Sequence, residues 1–150
     1  MAKAIYLDMD GTFANLYGVD NWLDMLIAED PTPYAIAAPM YDMAALNAML
    51  WEFEQRGYII GVISWTAKNG SKAYNNAVRH VKREWLAKHL PIATEIHVVK
   101  YGTPKHRVAK IKDSILIDDE MPNREKWSNG LTIDANHDII TQLWNILETL

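Results

Sequence analysis

The chain has 150 residues, 49% of them hydrophobic and 23% charged, with no cysteine and a formal net charge of −4. That length suits a single domain with its own core, and the missing thiols exclude disulfides and thiolate metal sites. No apolar run approaches the ~20 residues of a membrane span, and no signal-peptide pattern precedes the first predicted strand, so a soluble cytoplasmic protein is expected.

That first strand covers Lys3–Leu7 and runs into Asp8-Met9-Asp10-Gly11-Thr12. Side chains alternate along a strand, so two acids two apart leave its carboxyl end together. Open α/β sheets bind their ligands at that end. Gly11 lets the chain turn away and Thr12 can bond within the turn. Neighbouring carboxylates are costly unless a cation shares them or one is protonated. Residues 14–41 do not continue an alternating pattern. Asp20 to Ile27 reads as one short helix, Asp30-Pro31-Thr32-Pro33 breaks it, and Ala35 to Tyr41 reads as loop. Either this stretch is a small cap-like insert, or Trp22, Leu23, Leu26 and Ile27 pack on the core.

A helix is predicted over residues 43–55, with Asp42 as N-cap and Gly57 beyond its end. Leu46, Met49, Leu50 and Phe53 recur on it at helical spacing. Residues 58–64 form an apolar run ending in Ser64, followed by Trp65 and Thr66. Continuous apolarity fits a strand buried on both faces of a parallel sheet. The next helix is predicted over 72–90, with Val78, Val81, Trp85 and Leu86 on one face. A strand over Glu95–Val99 follows. Thr103 and Pro104 then read as N-cap and N1 of a helix carrying Lys105 in its first turn, where a lysine opposes the helix dipole unless it faces an anion. Lys100 competes with it for that role. A fourth strand, 114–117, ends in Asp118-Asp119-Glu120, two acids that are expensive after buried residues without a cation nearby. A helix near Pro122, a strand over 131–133 and a last helix over 138–150 complete an alternation that argues for a parallel sheet with helices on both faces.

The order Asp-x-Asp-Gly-Thr, apolar-Ser, Lys, apolar-Asp-Asp resembles the haloacid-dehalogenase-like (HAD) phosphohydrolase superfamily from about Ile5 to Asn123. Within it the chain is similar to small nucleotidases of the 5′(3′)-deoxyribonucleotidase kind and to phage-type polynucleotide kinase 3′-phosphatase domains. The resemblance implies a three-layer α/β Rossmann-like fold of about five parallel strands with a minimal cap. It implies Asp8 as nucleophile and Asp10 as acid/base, an acid that dehalogenases do not need. Thr12, Ser64, Trp65, Thr66 and Lys105 would contact substrate. Mg²⁺ would lie on Asp8, the Asp10 carbonyl and Asp118 or Asp119.

Charge is divided along the chain. Residues 1–54 hold nine acids and one lysine, residues 55–112 twelve Lys and Arg against two acids, and residues 113–150 eight acids against two bases. Lys68, Lys72, Arg79, Lys82, Arg83 and Lys88 gather on or near one predicted helix. A basic half beside an acidic cradle fits a phosphate-rich partner, a nucleotide or a nucleic-acid end. Such a face can equally be a solvated helix surface. A small phosphorylated metabolite, a nucleotide-binding protein with little turnover, and association of copies into a homo-oligomer stay open.

Overall fold

The computed structural model describes residues 2–150. In chain order the elements are β1 (Lys3–Leu7), β2 (Ala14–Asn15), α1 (Trp22–Ile27), α2 (Thr32–Ile36), β3 (Ala38–Pro39), α3 (Met43–Glu54) and β4 (Tyr58–Trp65). They continue with α4 (Lys72–His89), β5 (Glu95–Val99), α5 (Lys105–Val108), β6 (Ser114–Asp118), α6 (Met121–Lys126), β7 (Thr132–Asp134) and α7 (Ile139–Leu147). Five strands pair in parallel in the order β5-β4-β1-β6-β7, with the Asp8 strand central. The predicted α/β architecture is the observed one.

Alternation decides which strand residues meet which layer. Ile5 and Leu7 of β1, Ile60 and Val62 of β4, and Ile115 and Ile117 of β6 share one cluster with Leu46, Leu50 and Phe53 of α3 and Leu143 of α7. Ala4, Tyr6, Ile63 and Leu116 point the other way, onto Ala109 and Trp127. Gly61 sits beside Tyr6 because there is no room for more: a Cβ there would lie 2.7 Å from the Tyr6 ring. Asp42 caps α3 as expected, its carboxylate accepting from the Ala45 amide at 3.2 Å.

Two local expectations are corrected. Thr103 is not an N-cap: its hydroxyl donates to the Lys100 carbonyl at 2.6 Å, and the single-turn helix α5 starts at Lys105, after Pro104. Residues 35–41 are not plain loop. Thr32–Ile36 is helical, and Ala38–Pro39 pairs antiparallel with Ala14–Asn15. That two-residue ladder closes the insert on itself at the carboxyl edge of the sheet. There Leu16 and Tyr34 pack on Tyr74 and Val78 of α4.

Gly11 has φ +80°, and a Cβ built on it would stand 2.6 Å from Asp119 Oδ2. Gly11→Ala therefore meets both backbone strain and a clash with an acidic site residue. It is expected to destabilise the protein by about 1–3 kcal/mol in denaturant unfolding. An unchanged unfolding midpoint would contradict the strain assigned to this turn.

Candidate active site

Parallel pairing builds the floor of the site. Leu7 pairs with Ile117, so the next residues, Asp8 and Asp118, leave the sheet side by side. The Asp8 amide donates to the Ile117 carbonyl at 2.8 Å, which fixes how the first acid emerges. Asp118 is fully buried, and Lys105 is only 3% exposed. Lys105 Nζ bridges the two acids, 2.6 Å from Asp8 Oδ1 and 2.9 Å from Asp118 Oδ2. Lys100 is exposed, so Lys105 is the lysine that reaches the acids. Thr12 Oγ1 stands 3.0 Å from Asp8 Oδ2 and 3.3 Å from Asp119 Oδ1. Two amides hold the acids from outside: Asn123 Nδ2 donates to Asp118 Oδ2 at 3.1 Å, and Asn136 Nδ2 to the Asp119 carbonyl at 2.7 Å.

Asp10 has a different partner. Lys82 Nζ lies 2.7 Å from Asp10 Oδ2, 2.8 Å from Ser64 Oγ and 2.7 Å from the Trp65 carbonyl, with no exposure to solvent. The Tyr34 ring stands 4.9 Å from the same ammonium. Lys82 was counted above among the basic helix residues; it is in fact an interior cation of the site. Arg79 and Arg83 on the same helix donate to the Val98 and Ile96 carbonyls of β5. The basic stretch is thus partly consumed in holding α4 to the sheet.

The hydroxyls differ in availability. Ser64 is 1% exposed and engaged by Lys82. Thr66 Oγ1 is buried with no hydrogen-bond partner, and Thr66 lines the cleft in front of Asp8. Trp65 also lines this cleft, its Nε1 donating to the Thr103 carbonyl at 2.9 Å, with Lys105 Nζ 5.2 Å from the ring.

The fold that sets this geometry has known counterparts. A Mesorhizobium loti protein, mll2559, assigned to the HAD-like phosphatases, superposes with a TM-score of 0.59 at 12% identity over 99% of this chain and 87% of its own. The D,D-heptose 1,7-bisphosphate phosphatase of Burkholderia thailandensis gives 0.55 at 12% identity, covering 97% of this chain and 98% of its own. The chain has the HAD-like phosphatase fold. No family model matches the sequence, and no curated protein matches it.

In that HAD-like frame, Asp8, Asp118 and Asp119 each offer a carboxylate oxygen within 4.8 Å of the other two. Asp10 stands outside this group, its Oδ2 bonded to Lys82 Nζ at 2.7 Å. An all-oxygen, acidic donor set fits a hard divalent ion such as Mg²⁺. Electrostatics gives a second sign of fit. Burial, hydrogen bonding to Asp8 and the charges of Asp8 and Asp118 push the Asp119 carboxyl up to about 8. Burial and the Asp8 charge, opposed by Lys105, push Asp118 up to about 6. Burial also opposes ionisation of Asp8, but Lys105, Asp119 and Lys82 together bring it below the ordinary value. Without a cation, joint ionisation of the three acids is opposed at neutral pH.

Folding without metal then carries a pH signature. Asp118 and Asp119 hold protons in the folded state that the unfolded chain releases near pH 4. Metal-free stability therefore falls as pH rises from about 4 towards 8. Thermal unfolding in EDTA is expected to show a melting temperature declining across that window, with Mg²⁺ flattening the decline and Asp119→Asn reducing it. A melting temperature rising with pH in EDTA would contradict this charge arrangement.

The insert meets the site. No residue of α1 is fully buried, and Leu26 packs half-buried against the Leu16, Tyr34, Tyr74 and Val78 cluster. Trp22, Leu23, Leu26 and Ile27 line a cleft of about 550 Å³ that contains Asp8, Asp10 and Lys105.

Proposed function

We propose that the protein is a Mg²⁺-dependent phosphomonoesterase that works through an aspartyl-phosphate on Asp8, with a nucleotide or a nucleic-acid end phosphate as substrate. The observation that carries this reading is the Asp8 carboxylate. It is held by Lys105 at 2.6 Å in an accessible cleft, with two further acids within 4.8 Å and Asp10 alongside. Asp8 attacks phosphorus, and the bond from phosphorus to the leaving oxygen breaks. Asp10 gives its proton to that oxygen. Water then attacks the aspartyl-phosphate, Asp10 takes a proton from it, and phosphate leaves with Asp8 restored.

Asp10 must be protonated for the first step and ionised for the second. Burial raises its carboxyl above the ordinary value, while Lys82 pulls the other way, so its surroundings serve both forms. Lys105 and the free hydroxyl of Thr66 suit the non-bridging phosphate oxygens. Ser64 supports Lys82 from behind. Asp8, Asp118 and Asp119 would hold a Mg²⁺, which would offset carboxylate repulsion and the charge gathering on the phosphoryl group.

The test is phosphate release from nucleotides, phosphosugars and 3′- or 5′-phosphorylated oligonucleotides, with Mg²⁺ and with EDTA. Release from at least one class in Mg²⁺ only is expected. Full activity in EDTA, or none on any class, would overturn the assignment. A small phosphorylated metabolite is the competing substrate class, because one structural neighbour is a heptose bisphosphate phosphatase.

A further inference from the structure

The cleft above the acids is walled by the insert on one side and by the ends of β4 and β5 on the other. Four large apolar side chains around it are conspicuously bare: Ile27 is 74% exposed, Leu23 52%, Tyr17 51% and Tyr101 45%. Exposed apolar groups gathered round one concavity mark a binding surface. Two aromatic pairs stand in it. Tyr17 and Trp22 from the insert meet edge to face at 5.0 Å, and Trp65 and Tyr101, from the ends of β4 and β5, lie at 5.0 Å.

The cleft is also anchored. Glu29, just past α1, accepts from the Ser71 amide at 2.8 Å and the Ser71 hydroxyl at 2.7 Å, tying the insert to the start of α4. Beyond the floor acids and Lys105, the lining carries one cation, Lys68, against Glu29 and Glu120. A second phosphate there would face a net negative rim.

We infer that this cleft holds the leaving group of the substrate, and that the leaving group is a single nucleoside whose flat base lies against the aromatic walls. The inference rests on the phosphomonoesterase reading and narrows it to single nucleoside monophosphates. About 550 Å³ lies within the range of small-molecule sites. Aromatic walls bind bases by stacking with little regard to sequence. Polynucleotide ends and sugar bisphosphates are disfavoured, because among the described residues Lys68 is the only cation lining the cleft besides Lys105, with Glu29 and Glu120 in the same lining, and Lys82 is interior.

The experiment compares kcat/KM for nucleoside 5′-monophosphates, ribose 5-phosphate, a short oligonucleotide with a terminal phosphate, and acetyl phosphate. Tryptophan fluorescence of Asp8→Asn titrated with nucleoside monophosphate or ribose 5-phosphate gives binding without turnover. Wild type is expected to favour the nucleoside monophosphate over ribose 5-phosphate by about tenfold or more, on the scale of one stacked base. Trp22→Ala and the double variant Leu23→Ala/Ile27→Ala should collapse that ratio. Only the nucleotide should alter the fluorescence. Equal turnover of ribose 5-phosphate, or preference for the oligonucleotide, overturns the inference while the phosphatase reading stands. If nothing, acetyl phosphate included, releases phosphate, the phosphatase reading falls. The fluorescence titration then decides the cleft alone: tight binding of nucleotide but not ribose 5-phosphate upholds it, and no discrimination overturns it.

Discussion

Asp8→Asn is expected to lower Mg²⁺-dependent phosphate release on the order of 10⁴-fold or more while the protein stays folded. Asparagine keeps the shape of the side chain but is a far poorer nucleophile and metal ligand. The fold survives because Lys105 keeps a partner in Asp118, 2.9 Å away, when its bond to Asp8 is weakened. Removing one of three crowded carboxylates also relieves the repulsion that raises Asp118 and Asp119. Phosphate-release kinetics together with circular dichroism checks both halves. Near wild-type activity in this variant would rule out covalent catalysis by Asp8.

Lys82→Met is expected to cut kcat by about 10²–10⁴-fold, the usual weight of one general acid/base. The cause is specific. Lys82 is the one cation bonded directly to Asp10, at 2.7 Å among the described residues, and it favours the ionised form that the water step needs. Its loss should slow hydrolysis of the aspartyl-phosphate more than its formation. Rapid-quench experiments should then find the phosphorylated chain accumulating. Ser64 Oγ and the Trp65 carbonyl lose a donor as well, at a cost of about 1–3 kcal/mol for groups left unsatisfied. The loss of rate should therefore exceed anything explained by unfolding. A variant with normal kcat and lowered melting temperature would make Lys82 a structural residue only.

Much of the sheet was legible because its strands are continuous apolar runs, and a run such as 58–64 has few other places to go in an α/β protein. The acids at strand ends were legible for the same reason: Asp8 and Asp118 follow directly on buried segments. By charge alone Lys82 is one more basic residue of a basic helix; its position carries the signal. It lies four residues after Val78 and three before Trp85, so it shares their inward face, and a lysine on an apolar helix face is a sign of an interior anion. The pairing of Ala14–Asn15 with Ala38–Pro39 carries no signal, since two residues cannot show a period of two. α2 is one short helix around Pro33, whose burial comes from tertiary contact rather than its own pattern. Ser64 and Thr66 could not be separated in sequence. Which hydroxyl is free depends on Lys82, a residue on another element.

The most direct measurement is the mass of the chain after acid quench during turnover of a nucleoside monophosphate in Mg²⁺. Wild type and Lys82→Met should carry one added phosphoryl group, mapped by fragmentation to Asp8 and labile to hydroxylamine, and Asp8→Asn should carry none. A phosphoryl group on any other residue, or steady turnover in which no phosphorylated chain forms in either protein, would contradict the aspartyl-phosphate route.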